Sequence, residues 1–146
     1  MNHQLLFLCT GNYYRSRYAE LYFNNLASQS GILWSALSRG LATEGNQNIG
    51  PIYSKVLLRL KEHEFSAADQ IRYPIQLDQA DLQTAELVIA LYEPEHRPLM
   101  QQRFPDWANR IAYWHIPDLD QMTSDDAFSA IEIQVIELLK HLSDGS

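Results

Sequence analysis

The sequence predicts a doubly wound α/β fold, a three-layer sandwich in which helices cover both faces of a four-stranded parallel sheet. Short apolar runs alternate with amphipathic stretches, and no internal repeat interrupts this order. The apolar runs are brief and almost free of polar residues, which is typical of parallel strands that are buried on both faces. With 146 residues, the chain is expected to form one domain over residues 1–146.

The first half of the chain supplies two strands and two helices. Gln4–Leu8 is short, apolar and followed by turn residues, so it is predicted as a buried strand. Apolar residues at helical spacing then predict a helix from Arg15 to about Ser28. Ile32–Leu37 is the second strand candidate. A loop rich in Gly and Asn follows over residues 38–51, and Pro51 is expected to open an amphipathic helix.

The second half continues the alternation. Residues 85–92 and 110–117 are the other strand candidates. The segment between them, Glu93–Arg103, is predicted as a helix that Pro98 should shorten or kink, because proline lacks the N–H group that an internal helical residue donates. Thr123, with Asp126 three residues later, resembles a capping box and predicts the start of a long closing helix.

Composition and charge restrict the classes of protein and of binding partner to be considered. The hydrophobic fraction of 46% and charged fraction of 20% are ordinary for a globular protein. A net charge of −7 argues against general binding to nucleic acids or membrane surfaces. The longest clean apolar run, Leu87–Tyr92, is too short to cross a bilayer, and the N-terminal residues do not resemble a signal peptide.

The chain contains one cysteine, Cys9. It therefore forms no internal disulfide and no metal site built on several cysteines, and we expect a reducing cytoplasm as its location. Taken alone, a cysteine at the end of a buried strand is usually a small, inert apolar residue. The residues that follow Cys9 favour a different interpretation.

The sequence CTGNYYRS, residues 9–16, connects the first predicted strand to the first helix. Gly11 and Asn12 stand where a tight loop would require positive φ angles. Such a loop, leading into the N-terminus of a helix, directs N–H groups at an anion and favours a thiolate on Cys9. The planar guanidinium of Arg15 can hold two oxygens of one phosphate group. The stretch is thus a candidate oxyanion site with a thiolate nucleophile.

The pattern C-x5-R-S near the N-terminus resembles the phosphate-binding loop of the low-molecular-weight protein tyrosine phosphatases. Weaker similarities to that family follow at residues 38–40 (SRG), 87–96 (LVIALYEPEH) and 116–120 (IPDLD). The resemblance implies a phosphate-monoester hydrolase of that fold, acting on phosphotyrosine proteins or a smaller phosphate ester. It implies neither a metal nor another cofactor.

Carried over to this sequence, the resemblance gives each residue of the loop a role. Cys9 would attack phosphorus and form a phosphocysteine intermediate, and Asp118 would be the general acid and base. Asn12 would tie the loop together, and Ser16 would donate a hydrogen bond to the Cys9 thiolate. The phosphate-binding residues would be Thr10, Gly11, Asn12, Tyr13, Tyr14, Arg15 and Ser16.

The sequence also departs from the family pattern. Tyr14 stands where the family usually has a second cysteine, and Arg17 where it has a proline. Leu119 replaces the proline of the acid loop, while Asp120 and Gln121 replace the aromatic pair that lines the substrate pocket. No aromatic residue that could line the pocket is evident in residues 41–50. The departures put the preference for aryl phosphates in question.

Several alternatives remain open at this stage. Asp120 is a second candidate for the acid, since side chains two residues apart in an extended segment share a face. His115 is expected to be structural or exposed, and Arg17 and Arg39 either widen a positive rim or are ordinary surface residues. A non-catalytic module that binds oxyanions or phosphorylated partners is one alternative function. An arsenate reductase that uses an external thiol is another.

Overall fold

The computed structural model describes residues 3–45, 47–67 and 71–144, so Asn46 of the predicted loop lies outside the described residues. The elements follow in the order β1 (His3–Cys9), α1 (Arg15–Ser30), β2 (Trp34–Gly40), α2 (Ser54–Glu62), α3 (Gln79–Thr84), β3 (Leu87–Ala90), α4 (Glu93–Arg103), β4 (Ala112–Tyr113) and α5 (Ser124–Asp144). Strands and helices alternate as the sequence predicts, except that α2 and α3 follow one another between β2 and β3.

The four strands form one parallel sheet in the order β2-β1-β3-β4. β1 is central, and its register pairs Cys9 with Gly40 of β2 and Leu8 with Ala90 of β3. The chain reaches β2 on one side of β1 and β3 on the other, so the strand order reverses at β1. The carboxyl end of such a strand is where open α/β sheets bind their ligands. The predicted doubly wound fold is confirmed, and Cys9 occupies that end.

The sheet separates two apolar cores. Leu5 and Phe7 of β1 pack into the core formed with α1, α2 and α5. Leu6 and Leu8 point to the other face and pack against α3 and α4. Because successive strand residues face opposite sides, this one strand contributes to both cores. Burial of each such side chain stabilises the fold by roughly 1.5–3 kcal/mol, which anchors the strand that carries Cys9.

β2 begins two residues later than predicted. Gly31 caps the C-terminal end of α1 and adopts a left-handed conformation with φ of +68°. The Ile32 amide then donates to the Ala27 carbonyl at 3.0 Å. This hydrogen bond assigns Ile32 to the turn that closes the helix, so the strand starts only at Trp34.

The helix expected to open at Pro51 begins instead at Ser54, and that prediction is wrong by three residues. Tyr53 has an extended backbone with ψ of 122°, and its amide donates to the Tyr13 carbonyl at 3.1 Å. Tyr53 is therefore held in an extended conformation by the loop that follows β1. A tertiary hydrogen bond overrides the local preference of proline for the first turn of a helix.

Helices α3 and α4 also differ from expectation. α3 was not predicted from the sequence, although Asp78 and Asp81 form a reciprocal capping box at its start. α4 extends through Pro98 to Arg103, so Pro98 does not shorten it. Pro98 lies on the exposed side of α4. The carbonyl left without a helical donor can be hydrated there, which lowers the cost of the proline.

Only Ala112–Tyr113 of the predicted strand over 110–117 forms a strand ladder. The chain beyond β4 nevertheless stays beside β3, since the Trp114 amide donates to the Ala90 carbonyl and the Ile116 amide to the Leu91 carbonyl, both at 2.8 Å. These bonds carry the following loop to the edge of the sheet where β1 ends.

The closing helix α5 begins where its capping residue predicts. Thr123 Oγ1 accepts a hydrogen bond from the Asp126 amide at 3.2 Å. The apolar face of α5 packs against α1 and includes Phe128, Ile131 and Val135. Among the helices of the described residues, none combines the length and the apolar character needed to cross a membrane.

Candidate active site

Cys9, Arg15 and Asp118 line one cleft of about 880 Å³ at the carboxyl end of β1. Cys9 is the last residue of the strand, and Arg15 is the first residue of α1. Asp118 follows β4 in the loop that leads to α5. Two segments distant in sequence, the loop from Cys9 to Arg15 and the loop that carries Asp118, therefore meet in one cleft, because the carboxyl ends of parallel strands lie at the same edge of a sheet.

The loop between Cys9 and Arg15 turns at Asn12, which adopts a left-handed φ of 52°. Gly11 does not have a positive φ, so only one of the two predicted positions requires it. Gly40 flanks the loop: a Cβ atom at Gly40 would lie 2.9 Å from the Thr10 carbonyl oxygen and 3.0 Å from Asn12 Cβ. The glycine that follows Arg39 is therefore needed for close packing rather than for a turn.

The Asn12 side chain holds the loop from within. Asn12 Nδ2 donates to the hydroxyl oxygens of Ser16 and Ser38, each at 2.9 Å. Asn12 Oδ1 accepts hydrogen bonds from the Ile75 amide and from Arg72 Nη1, both at 3.0 Å. These partners assign the two ends of the Asn12 amide. A buried side chain with four satisfied hydrogen bonds is a rigid brace.

Ser16 links this brace to the cysteine. Its hydroxyl oxygen lies 2.9 Å from Cys9 Sγ. Because that oxygen already accepts a hydrogen bond from Asn12, the Ser16 hydroxyl hydrogen is available to the sulfur. The geometry suits a hydrogen bond donated to a Cys9 thiolate.

Arg72 is a partly buried charge behind the loop that was not identified from the sequence. Besides Asn12 it contacts Glu20, with Nη2 3.2 Å from Oε1, and the Ser38 hydroxyl oxygen at 3.2 Å. Burial raises the pKa of Glu20, although the hydrogen bond from Ser38 and the charge of Arg72 oppose the change. The permanent positive charge of Arg72 thus lies behind the anion-binding loop and contacts it through the Asn12 side chain.

Neither Arg17 nor Arg39 widens a positive rim around the cleft. Arg17 is buried, and its Nη1 donates to the Asn12 carbonyl at 3.3 Å and to the Pro51 carbonyl at 3.2 Å. Burial, followed by the charge of Arg72, lowers the pKa of Arg17 to about 10. Arg39 Nε lies 3.3 Å from Asp81 Oδ2. Arg17 therefore braces the loop from behind, and Arg39 is paired at the start of α3.

The Arg15 guanidinium is almost fully buried, with a side-chain exposure of 3%. Its Nη1 donates to the Ile116 carbonyl at 3.0 Å, and its Nη2 donates to Glu95 Oε2 at 2.8 Å. Nη2 also lies 3.6 Å from Asp118 Oδ2. Burial opposes the charge of Arg15, but the negative charges of Cys9, Glu95 and Asp118 outweigh that effect and raise its pKa.

Both candidate acids line the cleft. The Asp118 carboxylate is half-exposed and within ion-pair range of Arg15, and its Oδ1 accepts the Leu119 amide at 2.8 Å. Asp120 is exposed further along the loop. His115 does not join them, since it is 71% exposed and lies 4.0 Å from Glu93. Asp118 is thus the aspartate with a direct contact to Arg15.

Aromatic residues line the cleft from outside the acid loop: Tyr13, which the sequence already suggested as a stacking residue, and also Tyr53 and Tyr92, which it did not. Tyr13 and Tyr53 lie with ring centroids 6.0 Å apart, and the Tyr13 hydroxyl donates to the Ile49 carbonyl at 2.6 Å. Tyr92 follows β3, and its hydroxyl donates to Gln121 Oε1 at 3.1 Å. Tyrosines from outside the acid loop therefore stand where the sequence suggested that aromatic residues were missing.

The loop backbone and the acidic side chains differ in the kind of ion that they could bind. Within the described residues, the N–H groups of residues 11–14 donate no hydrogen bond to the protein, which leaves them available to an oxyanion. The same part of the chain contains no group of three or more His, Cys, Asp or Glu side chains placed to hold a metal ion.

The chain matches the family model described as low molecular weight phosphotyrosine protein phosphatase over residues 4–144. A comparison with curated protein sequences gave no significant match. Solved structures, in contrast, match over almost the whole chain.

A low molecular weight protein tyrosine phosphatase from T. tengcongensis is 26% identical with a TM-score of 0.79, covering 96% of this chain and 99% of the other. Wzb from Vibrio vulnificus, in complex with benzylphosphonate, is 20% identical with a TM-score of 0.77 and coverages of 97% and 99%. The YwlE arginine phosphatase of Bacillus subtilis, in a serine variant with a phosphorylated active-site serine, is 18% identical with a TM-score of 0.77 and coverages of 96% and 95%.

The family model accounts for nearly every residue of the chain, and the structures agree in fold with the sheet and helices described above. The chain therefore belongs to the low molecular weight phosphotyrosine protein phosphatases, a family of cysteine-dependent phosphatases.

Proposed function

We propose that the protein hydrolyses phosphate monoesters through a phosphocysteine intermediate on Cys9, without a metal, and that its substrates are phosphotyrosine proteins or small aryl phosphates. Arg15 and the loop backbone bind the phosphoryl group, and Asp118 serves as general acid and then general base. The observation that carries the proposal is the convergence of Cys9, Arg15 and Asp118 on one cleft. The single cysteine of the chain is compatible with a reducing cytoplasm as its location.

The first step forms a bond between Cys9 Sγ and phosphorus while the ester P–O bond breaks. The leaving oxygen takes a proton from Asp118, whose half-exposed carboxyl can exchange protons with solvent. In the second step the Asp118 carboxylate accepts a proton from water, the water oxygen bonds to phosphorus, and the S–P bond breaks. The Ser16 hydroxyl, 2.9 Å from the sulfur, stabilises the departing thiolate.

Positive charge and N–H donors support the transition state. Arg15 uses one N–H for the Ile116 carbonyl and one for Glu95, so its remaining donors can reach two phosphoryl oxygens. The amides of residues 11–14 supply further donors. Donors that are fixed in advance stabilise charge without reorganising during the reaction.

The tyrosines around the cleft support an aryl leaving group. Tyr13, Tyr53 and Tyr92 all line the cleft, together with Leu119 and Ile49. Aromatic rings prefer edge-to-face or offset contacts with other rings, and each such contact contributes about 0.5–1.5 kcal/mol. A phenyl ring carried by the phosphate would find such partners here, although the acid loop lacks its usual aromatic pair.

The decisive experiment is an assay without thiol and with a metal chelator, using nitrophenyl phosphate and peptides that carry phosphotyrosine, phosphoserine or phosphoarginine. Phosphoarginine belongs in the panel because one structural neighbour is an arginine phosphatase. We expect turnover of the aryl substrates by the wild-type protein and none by Cys9→Ser, which should retain binding of inorganic phosphate. Equal activity in both proteins would overturn the covalent mechanism.

Two other outcomes identify the alternative functions. Phosphate binding with no turnover of any substrate would indicate a module that binds phosphorylated partners. Turnover of arsenate only after addition of an external thiol would indicate an arsenate reductase.

A further inference from the structure

Glu95, in the first turn of α4, concentrates three contacts on one carboxylate oxygen. Its Oε2 accepts hydrogen bonds from the Thr10 hydroxyl and from Arg15 Nη2, the latter at 2.8 Å. The Nε2 atom of His96 lies 3.2 Å from the same oxygen. The side chain is only 27% exposed, so these contacts act with little competition from water. Glu95 thus joins α4 to both ends of the phosphate loop.

His96 lies behind the Glu95 carboxylate. Its side chain is fully buried, and its Nδ1 accepts a hydrogen bond from the Tyr92 amide at 2.9 Å. That bond leaves the ring proton on Nε2, the atom that faces Glu95. Burial lowers the pKa of His96, which favours the neutral ring. The Nε2–H bond points obliquely to the Glu95 oxygen, so the contact acts mainly through the dipole of the ring.

Glu95 is ionised throughout the physiological pH range. Burial opposes its charge, but the contact with His96 and the hydrogen bond and charge of Arg15 outweigh the burial and hold its pKa well below the usual range. A buried arginine requires such a counter-charge, because an unpaired guanidinium in a protein interior is strongly destabilised.

Arg15 has a competing acidic partner. The same Nη2 atom that donates to Glu95 lies 3.6 Å from Asp118 Oδ2. Asp118 belongs to the exposed acid loop and must carry a proton to the leaving group in the proposed reaction. If the Arg15 guanidinium moved to pair with Asp118, it would leave its position in the phosphate loop. It would also stabilise the deprotonated form of Asp118.

We propose that Glu95, oriented by His96, is a positioning residue that holds the Arg15 guanidinium in the geometry required by the transition state and away from Asp118. The inference rests on the proposed function, in which Arg15 binds the transferred phosphoryl group. A positioning role predicts a loss that is larger for the transition state than for a bound ground-state anion.

The test compares Glu95→Ala with Glu93→Gln as the matched control. Glu93 lies on the same first turn of α4 and pairs with Arg97 at 2.8 Å. We expect Glu95→Ala to reduce kcat by roughly 10- to 100-fold, as misplacement of a catalytic group by about 1 Å can do. Vanadate adopts the trigonal bipyramidal geometry of the transition state, so inhibition by vanadate should weaken by the same factor as kcat. Inhibition by inorganic phosphate should change by less than about threefold. Glu93→Gln should change none of these values beyond about twofold.

Two further pairs of variants separate positioning from folding. Glu95→Gln keeps an oxygen that can accept from Thr10 and Arg15, so it should retain more activity than Glu95→Ala. His96→Gln can keep a donor near the position of Nε2, whereas His96→Asn can keep only the acceptor for the Tyr92 amide. We therefore expect His96→Gln to retain the higher kcat at similar thermal stability. All variants are compared at equal folded fraction by circular dichroism.

If Glu95→Ala weakened inhibition by vanadate and inhibition by phosphate to the same extent, the proposal would be overturned. That result would indicate that Glu95 only maintains the conformation of the loop. An unchanged kcat would overturn it as well. Both oxyanions can also be followed by calorimetric binding, which does not depend on turnover. A wild-type protein without phosphatase activity would therefore refute the proposed function, while the binding ratio would still test the effect of Glu95 on Arg15.

Discussion

The hydroxyl oxygen of Ser16 lies 2.9 Å from the sulfur of Cys9, and its own acceptor capacity is partly used by Asn12. This directs the hydroxyl hydrogen to the sulfur and makes Ser16 a donor to the thiolate, both before attack and when the thiolate leaves phosphorus. The relationship gives the first prediction, because a donor of this kind matters most in the second step of the reaction.

Ser16→Ala should lower kcat by roughly 10- to 100-fold, since a hydrogen bond to a charged group contributes about 1.5–3 kcal/mol. The phosphocysteine intermediate should accumulate, because its breakdown expels the thiolate. Rapid-quench measurements with nitrophenyl phosphate would detect it as a burst of nitrophenol followed by slow turnover. Ser28→Ala, an exposed serine near the end of α1, is the control. A variant without a burst and with normal kcat would exclude this role for Ser16.

Arg15→Lys should reduce kcat/KM by about 10²–10³-fold although the charge is kept. A lysine has one nitrogen and cannot donate to the Ile116 carbonyl and Glu95 while also binding two phosphoryl oxygens. Steady-state kinetics on an aryl phosphate would measure the loss. Arg110→Lys, where the guanidinium stacks 4.0 Å over the ring of Trp107, should leave activity unchanged. Near-normal activity of Arg15→Lys would mean that charge alone suffices.

Asp118→Asn should slow a phosphate ester with a poor leaving group by about 10²–10⁴-fold and nitrophenyl phosphate much less, because nitrophenolate departs without protonation. Asp120→Asn should leave both substrates within a few-fold of the wild type. The variants should be compared on nitrophenyl phosphate and an unactivated aryl or alkyl phosphate over a range of pH. Asp118→Asn should also flatten the alkaline limb of the pH–rate profile if protonation of the leaving group limits the rate. A defect that depends on the leaving group in Asp120→Asn would move the assignment two residues along the loop.

Gly40→Ala should destabilise the protein and reduce activity together. The added Cβ would lie 2.9 Å from the Thr10 carbonyl oxygen, a backbone atom that can yield only if the phosphate loop moves. Overpacking of this kind typically costs about 1–3 kcal/mol of unfolding free energy. Urea denaturation and kcat/KM would measure the two effects, with Ser35→Ala on the same strand as control. Unchanged activity at reduced stability would show that the loop tolerates the shift.

Peroxide should inactivate the enzyme in a way that thiols reverse only at early times. Cys9 is the only cysteine of the chain, and Tyr14 stands where the family usually has a second one, so no disulfide within the chain can protect the sulfenic acid. Mass spectrometry after prolonged exposure should find sulfinic acid on Cys9, and vanadate or phosphate should slow the inactivation. Full recovery with a thiol after long exposure would indicate a sulfenamide or an external thiol partner.

The contiguous part of the site is well predicted from the sequence. Cys9 ends an apolar strand, and Arg15 opens a helix, in agreement with the local pattern. The start of a helix was predicted less well from local sequence where a hydrogen bond to a distant residue determines the backbone conformation. Pro51 does not begin α2, because the Tyr53 amide is bound to the Tyr13 carbonyl, forty residues earlier in the chain.

Residues that approach the loop from elsewhere were missed for a related reason. Tyr92 lies two residues after β3 and Glu95 lies in the first turn of α4, so their position beyond the carboxyl end of a parallel strand is the signal that could have identified both as candidates. Arg72 lies outside any helix or strand of the described residues, and nothing in its local sequence indicates that it contacts Asn12.

The sequence by itself determined the α/β class and the nature of the anion-binding loop. The strand, the tight loop and the helix N-terminus are formed by neighbouring residues, so the local sequence of residues 3–30 is sufficient to predict that unit. Only the tertiary structure decided which groups surround Arg15. Its partners, Glu95 and Asp118, come from 80 and 103 residues further along the chain, and the parallel sheet brings them together because its strands end at one edge. The buried charge of Arg15 then requires those carboxylates, which explains in physical terms why the site is complete only in the folded protein.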